Sequence, residues 1–210
     1  DISRITPLLA KIYPNGPADI NSFFKAGNTG FLFGQLLSAG LMHDIPTVMG
    51  ESFGATYTKA TPREGSIRVE WPPVLPQSED VDVLRAIDEP FDIEGGLHAL
   101  AGNIGRGIVK NSAIAKELHY IEGPARCFND IEGINAAFKA GKLNQDCVIV
   151  LRYQGPKACG IPELHGLMSI FGHLIDNGYK IAVVTDGRMS GASGKVPIVL
   201  HVCPEALEGG

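Results

Sequence analysis

The sequence predicts an α/β fold, in which a carboxyl-terminal domain with a mostly β core follows the helical tail of a larger α/β domain. A strand–helix–strand pattern, in which two apolar strands flank an amphipathic helix, lies between residues 147 and 186. Residues 1–60 repeat apolar residues at helical spacing, but this segment contains too few other apolar residues to bury the resulting helix faces. Residues 61–92 hold five prolines, which predicts a linker or, alternatively, a long structured loop. We therefore expect a boundary near residue 93, with a second domain over 93–210.

The amino-terminal elements are predicted to be helices. In ADINSFFKAG, Asp19 stands where a helix N-cap would lie. The run FLFGQLLSAGLM (31–42) places apolar residues on one helical face. Within the Pro-rich segment, SIRVE (66–70) is the one predicted strand.

Short strands and one helix are predicted after residue 93. The strands are LHALAGNIG (97–105), GIVKNSAIA (107–115) and IEGPARCF (121–128). The helix is NDIEGINAAFKAG, with Asn129 as its N-cap and Glu132 completing a capping box. Its predicted apolar face comprises Ile131, Ile134 and Phe138.

The strand–helix–strand unit consists of CVIVLRY (147–153), PELHGLMSIFGHLIDNG (162–178) and KIAVVTD (180–186). Pro162 is placed in the first turn of the helix, and Asn177-Gly178 is a helix stop signal. The apolar side of the helix is predicted to comprise Leu164, Leu167, Met168, Phe171 and Ile175. Such a unit has parallel strands and a right-handed crossover.

Two loops should meet at one edge of this sheet, because parallel strands end on the same side. The loops are QGPKACG (154–160) and TDGRMSGASGK (185–195). The carboxyl ends of the strands of open α/β sheets are where ligands bind. We therefore predict a site there that gathers Lys157, Glu163, Asp186, Arg188, Ser190, Ser193 and Lys195.

Each of these residue types allows two interpretations. Glu163, placed in the first turn of a helix, either stabilises the helix dipole or binds a hard cation such as magnesium. Arg188 and Lys195 are either solvated charges or groups that capture an anionic substrate. Ser190, between glycines 187 and 191, is either a turn residue or a reactive hydroxyl.

Two phosphate-binding motifs are excluded. A P-loop needs a glycine five positions before the final Gly-Lys and a Ser or Thr after it, and Met189 and Val196 occupy those positions. The dinucleotide fingerprint is also absent, because GNIGRG (102–107) has its glycine spacing reversed.

Composition argues against nucleic acid and membrane as partners. The net charge is −5 without a dense basic run, and the apolar runs are far shorter than the roughly 20 residues that span a bilayer. The spacing of the four cysteines matches no zinc-binding motif. Cys127 and Cys147 are predicted to be buried strand thiols, and Cys159 is the candidate for reactivity. His165 and His173 are predicted to be partly exposed. Reduced thiols favour a cytoplasmic location.

Four long runs resemble the dihydroxy-acid dehydratase and 6-phosphogluconate dehydratase family. They are IYPNGPADINSFFKAG (12–27), RYQGPKACGIPELH (152–165), VTDGRMSGASGKVP (184–197) and HVCPEALEGG (201–210). SGASGKVP and PNGPADIN are more similar to the sugar-acid branch, and YQGPKACG differs from the YEGPKGGPGM typical of the branched-chain enzymes.

The resemblance implies a hydro-lyase that removes water across C2 and C3 of an aldonic acid; 6-phosphogluconate would give 2-keto-3-deoxy-6-phosphogluconate. It implies that Ser190 is the base for the C2 proton and that Glu163 is a Mg²⁺ ligand. We expect substrate contacts from Lys157, Arg188, Ser193 and Lys195. The family also implies a homodimer and an iron–sulfur cluster, 4Fe–4S by analogy, that accepts the C3 hydroxyl. The cluster ligands are expected to lie outside this chain, in the domain of which residues 1–60 would be the helical end. The resemblance also implies that the domain over 93–210 is incomplete at its carboxyl terminus.

Two alternatives differ in class or substrate. One is a dihydroxy-acid or other sugar-acid dehydratase of the same family, which activity on phosphorylated and unphosphorylated substrates would distinguish. The other is a non-catalytic anion-binding domain, which predicts binding of phosphate esters without turnover.

Overall fold

The chain forms two compact units in a computed structural model, Asp1–Gly95 and Gly96–Gly210. The structure describes residues 2–48, 50, 52–56, 61–62, 65, 69–70, 77–190 and 196–210. The three segments expected from the sequence, with boundaries near 60 and 92, stay a prediction.

The first unit contains four helices and a small ladder within its described residues. The helices are α1 (Ile2–Ile5), α2 (Ile20–Ala26), α3 (Asn28–Ser38) and α4 (Phe53–Thr56), and β1 (Thr61–Pro62) pairs with β2 (Val69–Glu70). Asp19 caps α2, as predicted, by accepting a 2.8 Å hydrogen bond from the Ser22 amide. Part of SIRVE forms β2, and residues 66–68 lie outside the described residues.

A small core joins the helices of this unit to the end of the Pro-rich segment. Its buried side chains are Phe23, Ala26, Phe31, Val83 and Leu84. The Lys11 amide donates to the Val83 carbonyl at 2.8 Å. Residues 83 and 84 are thus part of the hydrophobic core of the first unit.

The second unit is built on a six-stranded mixed sheet in the order β3-β4-β8-β7-β6-β5. Strands β5 to β8 are parallel, and β4 and β3 extend the sheet antiparallel. The strands are β3 (Leu97–Gly102), β4 (Gly105–Lys110), β5 (Ala125–Phe128), β6 (Cys147–Leu151), β7 (Ile181–Thr185) and β8 (Ile198–Cys203). The α-helices are α5 (Ile131–Lys139), α6 (Pro156–Cys159) and α7 (Met168–Asp176).

The core of this unit lies between the sheet and helices α5 and α7. On β6, Cys147, Ile149 and Leu151 are almost fully buried, whereas the residues between them are half-buried. Helices α5 and α7 supply Ile134, Phe171 and Leu174 to the same cluster. The predicted parallel pairing of β6 with β7 is confirmed, and so is the predicted apolar face of α5.

Three local predictions were wrong. The helix predicted over 162–178 begins at Met168, after a 3-10 turn at His165–Leu167, because Ile161 has a positive φ of 51° and Glu163 pairs in a bridge with Arg188. Helix α5 is capped by Asp130 and not by Asn129, whose side chain instead accepts hydrogen bonds from Arg152. Cys127 is exposed because β5 is the outermost strand.

Strand β8 was not predicted, although it links the parallel and antiparallel parts of the sheet. Its run IVLHVC is interrupted by His201, which has a positive φ of 53°. Its partner β4 shifts register between Arg106 and Ile108. The strand therefore lacks the regular alternation that sequence patterns detect.

Candidate active site at the carboxyl edge of the sheet

The loops after β6 and β7 meet at one edge of the sheet, as predicted from parallel topology. The term carboxyl edge refers here to the carboxyl ends of β5 to β8. The Gln154 amide, after β6, donates a 2.9 Å hydrogen bond to Oδ1 of Asp186, after β7. Segments far apart in sequence are thus held together by direct contact.

Glu163 and Arg188 pair across these two loops. Their backbones form a parallel bridge, and the Leu164 amide donates to the Arg188 carbonyl at 3.2 Å. Nε of Arg188 donates to the Ile161 carbonyl at 3.0 Å. The expectation that Glu163 lies in the first turn of a helix was wrong, because this bridge holds it in extended backbone. Both side chains are exposed at the edge.

Ser190 lies two residues after Arg188, which limits their separation along the chain to about 7 Å. Its side chain is half-buried, and Met189 between the two is buried in the core. Glu163, Arg188 and Ser190 therefore lie at the same corner of the carboxyl edge. Ser193 and Lys195, which were also predicted to bind substrate, lie outside the described residues.

Asp186 connects three loops through one buried carboxylate. Only 5% of the residue is exposed. Its Oδ1 accepts from the Gln154 amide, and its Oδ2 accepts from the Ala206 amide at 3.0 Å. The sequence placed Asp186 at this edge without assigning it a role.

A third loop, after β8, reaches the site and was missed from the sequence. Glu205 on this loop is 8% exposed and accepts hydrogen bonds from the amides of Lys157 (3.1 Å) and Ala158 (3.3 Å). Predicting β8 as a parallel strand would have placed Glu205 at the same edge. The feature that the sequence analysis missed was therefore strand β8, and not Glu205 itself.

Lys157 already has a charged partner. Its Nζ forms an ion pair with Glu208, and both side chains are exposed. The hydrogen bond from Lys157 to Glu208 raises the pKa of the ammonium above its ordinary value, with a further contribution from the charge of Glu208. The ammonium is therefore fully protonated at neutral pH, and an anionic substrate that bound it would compete with Glu208.

Gly187 allows the β7 loop to approach its neighbours closely. A Cβ atom at this position would lie 2.7 Å from Cβ of Gln154 and 3.0 Å from Cδ1 of Leu164. Both distances are shorter than ordinary van der Waals contact. The glycine in TDGR is thus required by packing against the loop after β6.

The described residues do not form a metal site by themselves. They contain no group of three His, Cys, Asp or Glu side chains arranged to hold a metal ion. All four cysteines are free, with Cys147 buried and the other three exposed. Glu163 contributes one carboxylate, fewer ligands than Mg²⁺ takes from a protein and its substrate. The part of the chain described here therefore does not fit an iron–sulfur cluster.

Histidines and apolar helices add no further candidate. His165 and His173 are exposed, as expected. Within the described residues, every helix is too short or too polar to cross a bilayer.

Comparison with known proteins points to one family. The family profile described as "Dihydroxy-acid/6-phosphogluconate dehydratase C-terminal" matches residues 82–210, and the corresponding N-terminal profile matches residues 1–56. The chain is 53% identical to "Phosphogluconate dehydratase" of Rhizobium meliloti (strain 1021), over 100% of this chain and 35% of that protein. It is 51% identical to the protein of the same name from Pseudomonas aeruginosa, over 100% of this chain and 34% of that protein.

A more distant relative carries the other name of the family. "Dihydroxy-acid dehydratase" of Caldanaerobacter subterraneus subsp. tengcongensis is 37% identical, over 100% of this chain and 35% of that protein. The chain thus spans about a third of the length of the curated relatives it matches. Because the carboxyl-terminal profile covers more than half of it, the chain belongs to the dihydroxy-acid/6-phosphogluconate dehydratase family.

Proposed function

We propose that the protein containing this chain is a hydro-lyase that dehydrates 6-phospho-D-gluconate to 2-keto-3-deoxy-6-phosphogluconate. The observation that carries the proposal is the bridge between Glu163 and Arg188, with Ser190 two residues further along the same loop. It brings a carboxylate, a guanidinium and a hydroxyl to the edge at which α/β sheets bind their ligands. The identities of 53% and 51% to proteins named phosphogluconate dehydratase support this substrate.

The reaction removes one proton and one hydroxide. A base takes the proton from C2, the C3 hydroxyl leaves as water, and the resulting enol tautomerises to the 2-keto acid. In our proposal Ser190 is this base. A serine hydroxyl is a weak base unless nearby positive charge stabilises its alkoxide, and Arg188 is the cationic side chain two residues away.

Substrate binding requires cations, because 6-phosphogluconate carries a carboxylate and a phosphate. Arg188 has an exposed guanidinium whose Nε is fixed on the Ile161 carbonyl. Lys157 reaches the same edge, and a substrate oxyanion would replace or share its contact with Glu208. We propose that Ser193 and Lys195 complete this set.

The cofactors are proposed from the family and do not follow from the geometry of the described residues. An iron–sulfur cluster and Mg²⁺ are expected in the whole protein, with Glu163 as the one Mg²⁺ ligand from this chain. The described residues form neither site by themselves. A cytoplasmic homodimer is proposed on the same basis.

A second candidate is dehydration of a branched-chain dihydroxy acid. The 37% identity to a protein named dihydroxy-acid dehydratase supports it. The higher identities to phosphogluconate dehydratases favour the phosphorylated substrate. Turnover of both substrates by one preparation would separate the two.

The test is turnover of 6-phosphogluconate, gluconate and a dihydroxy acid by the full-length protein, prepared without oxygen. We expect the Ser190→Ala variant to lose at least about two orders of magnitude in kcat, as for removal of a general base. Ser169→Ala, which changes an exposed serine on α7, is the matched control and should keep the parent rate. If Ser190→Ala keeps most of its rate, the base is another group. A parent that is inert on 6-phosphogluconate contradicts the proposed substrate.

A further inference from the structure

Two buried carboxylates tie together the three loops of the carboxyl edge. Asp186 accepts the amides of Gln154 and Ala206, and Glu205 accepts those of Lys157 and Ala158. The loops after β6, β7 and β8 are therefore cross-linked by four backbone N–H groups on two side chains. We refer to this set of hydrogen bonds as the loop junction.

Each carboxylate is adjacent to a residue of the proposed chemistry. Asp186 lies two residues before Arg188 and four before Ser190. Glu205 holds the backbone amide of Lys157 itself. A displacement of either carboxylate would thus move a different part of the site: the serine loop in the first case and the lysine loop in the second.

Burial makes the hydrogen-bond geometry of these two carboxylates strict. Both residues are more than nine-tenths buried, and a buried carboxylate is costly unless hydrogen bonds compensate it. Hydrogen bonds from N–H groups to a carboxylate are shorter and stronger than neutral ones. An amide side chain in place of a carboxylate keeps one acceptor and turns the other into a donor, which opposes a backbone N–H. The loop junction therefore tolerates little rearrangement.

We propose that Asp186 and Glu205 are positioning residues, which fix the loops that carry Ser190 and Arg188 on one side and Lys157 on the other. The inference rests on the proposed function, because it assigns these loops to base and substrate binding. Asp186 governs the geometry of proton removal, and Glu205 governs the capture of the anionic substrate. The two carboxylates should therefore have different kinetic signatures.

The chain offers a matched control at the opposite ends of the same strands. Asp146, just before β6, accepts a 2.9 Å hydrogen bond from the amide of Lys180, just before β7. It also joins two loops of the sheet, but it is exposed and far along both strands from the carboxyl edge. A change at Asp146 reports the structural effect of weakening a loop contact without touching the site.

The kinetic test compares Asp186→Asn, Glu205→Gln and Asp146→Asn in the full-length protein, with kcat and KM measured on the substrate that the parent accepts best. We expect Asp186→Asn to lower kcat about tenfold or more with KM within about twofold, and Glu205→Gln to raise KM about tenfold with a smaller change in kcat. Asp146→Asn should match the parent in both. The proposal is overturned if Asp186→Asn and Glu205→Gln keep the parent values, or if all three variants lose kcat alike.

Amide hydrogen exchange, measured without substrate, tests whether the two carboxylates fix the loops independently of the proposed function. Asp186→Asn should speed exchange at the amides of Gln154 and Ala206, and Glu205→Gln at those of Lys157 and Ala158, by about tenfold or more. A parent that is inert on every acid substrate would contradict the proposed function, and exchange would then decide whether the carboxylates fix the loops. Unchanged exchange at these four amides overturns the inference in either case.

Discussion

The two ends of β6 and β7 are closed in different ways. At the amino ends, the exposed Asp146 makes one hydrogen bond, to the amide of Lys180. At the carboxyl ends, buried Asp186 and Glu205 make at least four, and a backbone bridge joins Glu163 to Arg188. The simpler arrangement is sufficient to close a loop. The carboxyl ends instead bury two carboxyl side chains that accept hydrogen bonds from backbone amides, which argues that the geometry there is specified for more than folding.

Glycines that end helices occur at both ends of these strands. Gly178 before β7 and Gly160 after β6 have positive φ angles of 88° and 77°, and a Cβ atom at either position would meet nothing within 4 Å. At the carboxyl ends, Gly155 and Gly187 also allow close approach of a neighbouring loop. The carboxyl ends therefore combine helix termination with tight packing between loops.

The largest expected effect comes from removing both carboxylate oxygens of Asp186, which is one of the two acceptor residues of the loop junction. Asp186→Ala leaves the buried amide of Gln154 and the partly buried amide of Ala206 without their partner, so we expect it to lower the free energy of unfolding by about 2–5 kcal/mol. Asp146→Ala exposes one amide to water and should cost under about 1 kcal/mol. Urea unfolding of both variants measures the difference. Equal losses would mean that the two ends are energetically alike.

Much of this contrast was accessible from the sequence, because it follows from local patterns and topology. The apolar runs at 147–153 and 180–186 predicted parallel strands. Parallel strands place the loops that follow them at one edge, so contact between 154–160 and the loop after residue 185 was predicted without coordinates. The resemblance of these loops to a family was confirmed by comparison.

What the sequence missed depends on non-local pairing. Strand β8 is irregular at His201 and is stabilised by β4 and β7, so the loop bearing Glu205 was not assigned to the site. Glu163 was placed in a helix because Pro162 suits a first turn, whereas the bridge to Arg188 holds that segment extended. The local sequence pattern shows neither the pairing of β8 with β4 and β7 nor the bridge between Glu163 and Arg188.

A second prediction tests the packing of the two loops without changing a charge. Gly187→Ala would bring a methyl group to 2.7 Å from Cβ of Gln154, so we expect it to lower the free energy of unfolding by about 1–3 kcal/mol. Gly172→Ala on α7 is the control, because its Cβ atom meets nothing within 4 Å. That change should stabilise the chain by roughly 0.5–1 kcal/mol, since alanine is the better helix former. Thermal unfolding of both variants reports the sign of each effect, and a neutral Gly187→Ala would refute the close packing.

The smallest expected effects are pH-dependent and differ between the two ends. At the amino end of β6, burial raises the pKa of the Cys147 thiol above its ordinary value of 9.0. The unfolded chain then ionises this thiol before the folded chain does, so the stability present below pH 9.0 decreases as pH rises beyond it. At the carboxyl end, the hydrogen bond to Glu208 raises the pKa of Lys157 above 10.5, and the stability from that pair is lost only as pH rises through this higher value.

Urea unfolding between about pH 8 and pH 11.5 separates the two groups by their ordinary pKa values. Cys147→Ala should flatten the decline that begins near pH 9.0, and the comparison is of slopes because the variant also removes a buried sulfur. Glu208→Gln should leave that decline intact and reduce only the loss above 10.5. The second effect is the smaller, because the ion pair is exposed and solvent screens it. If Glu208→Gln instead removed the decline near pH 9.0, the alkaline sensitivity would originate at the carboxyl edge and not in the buried thiol.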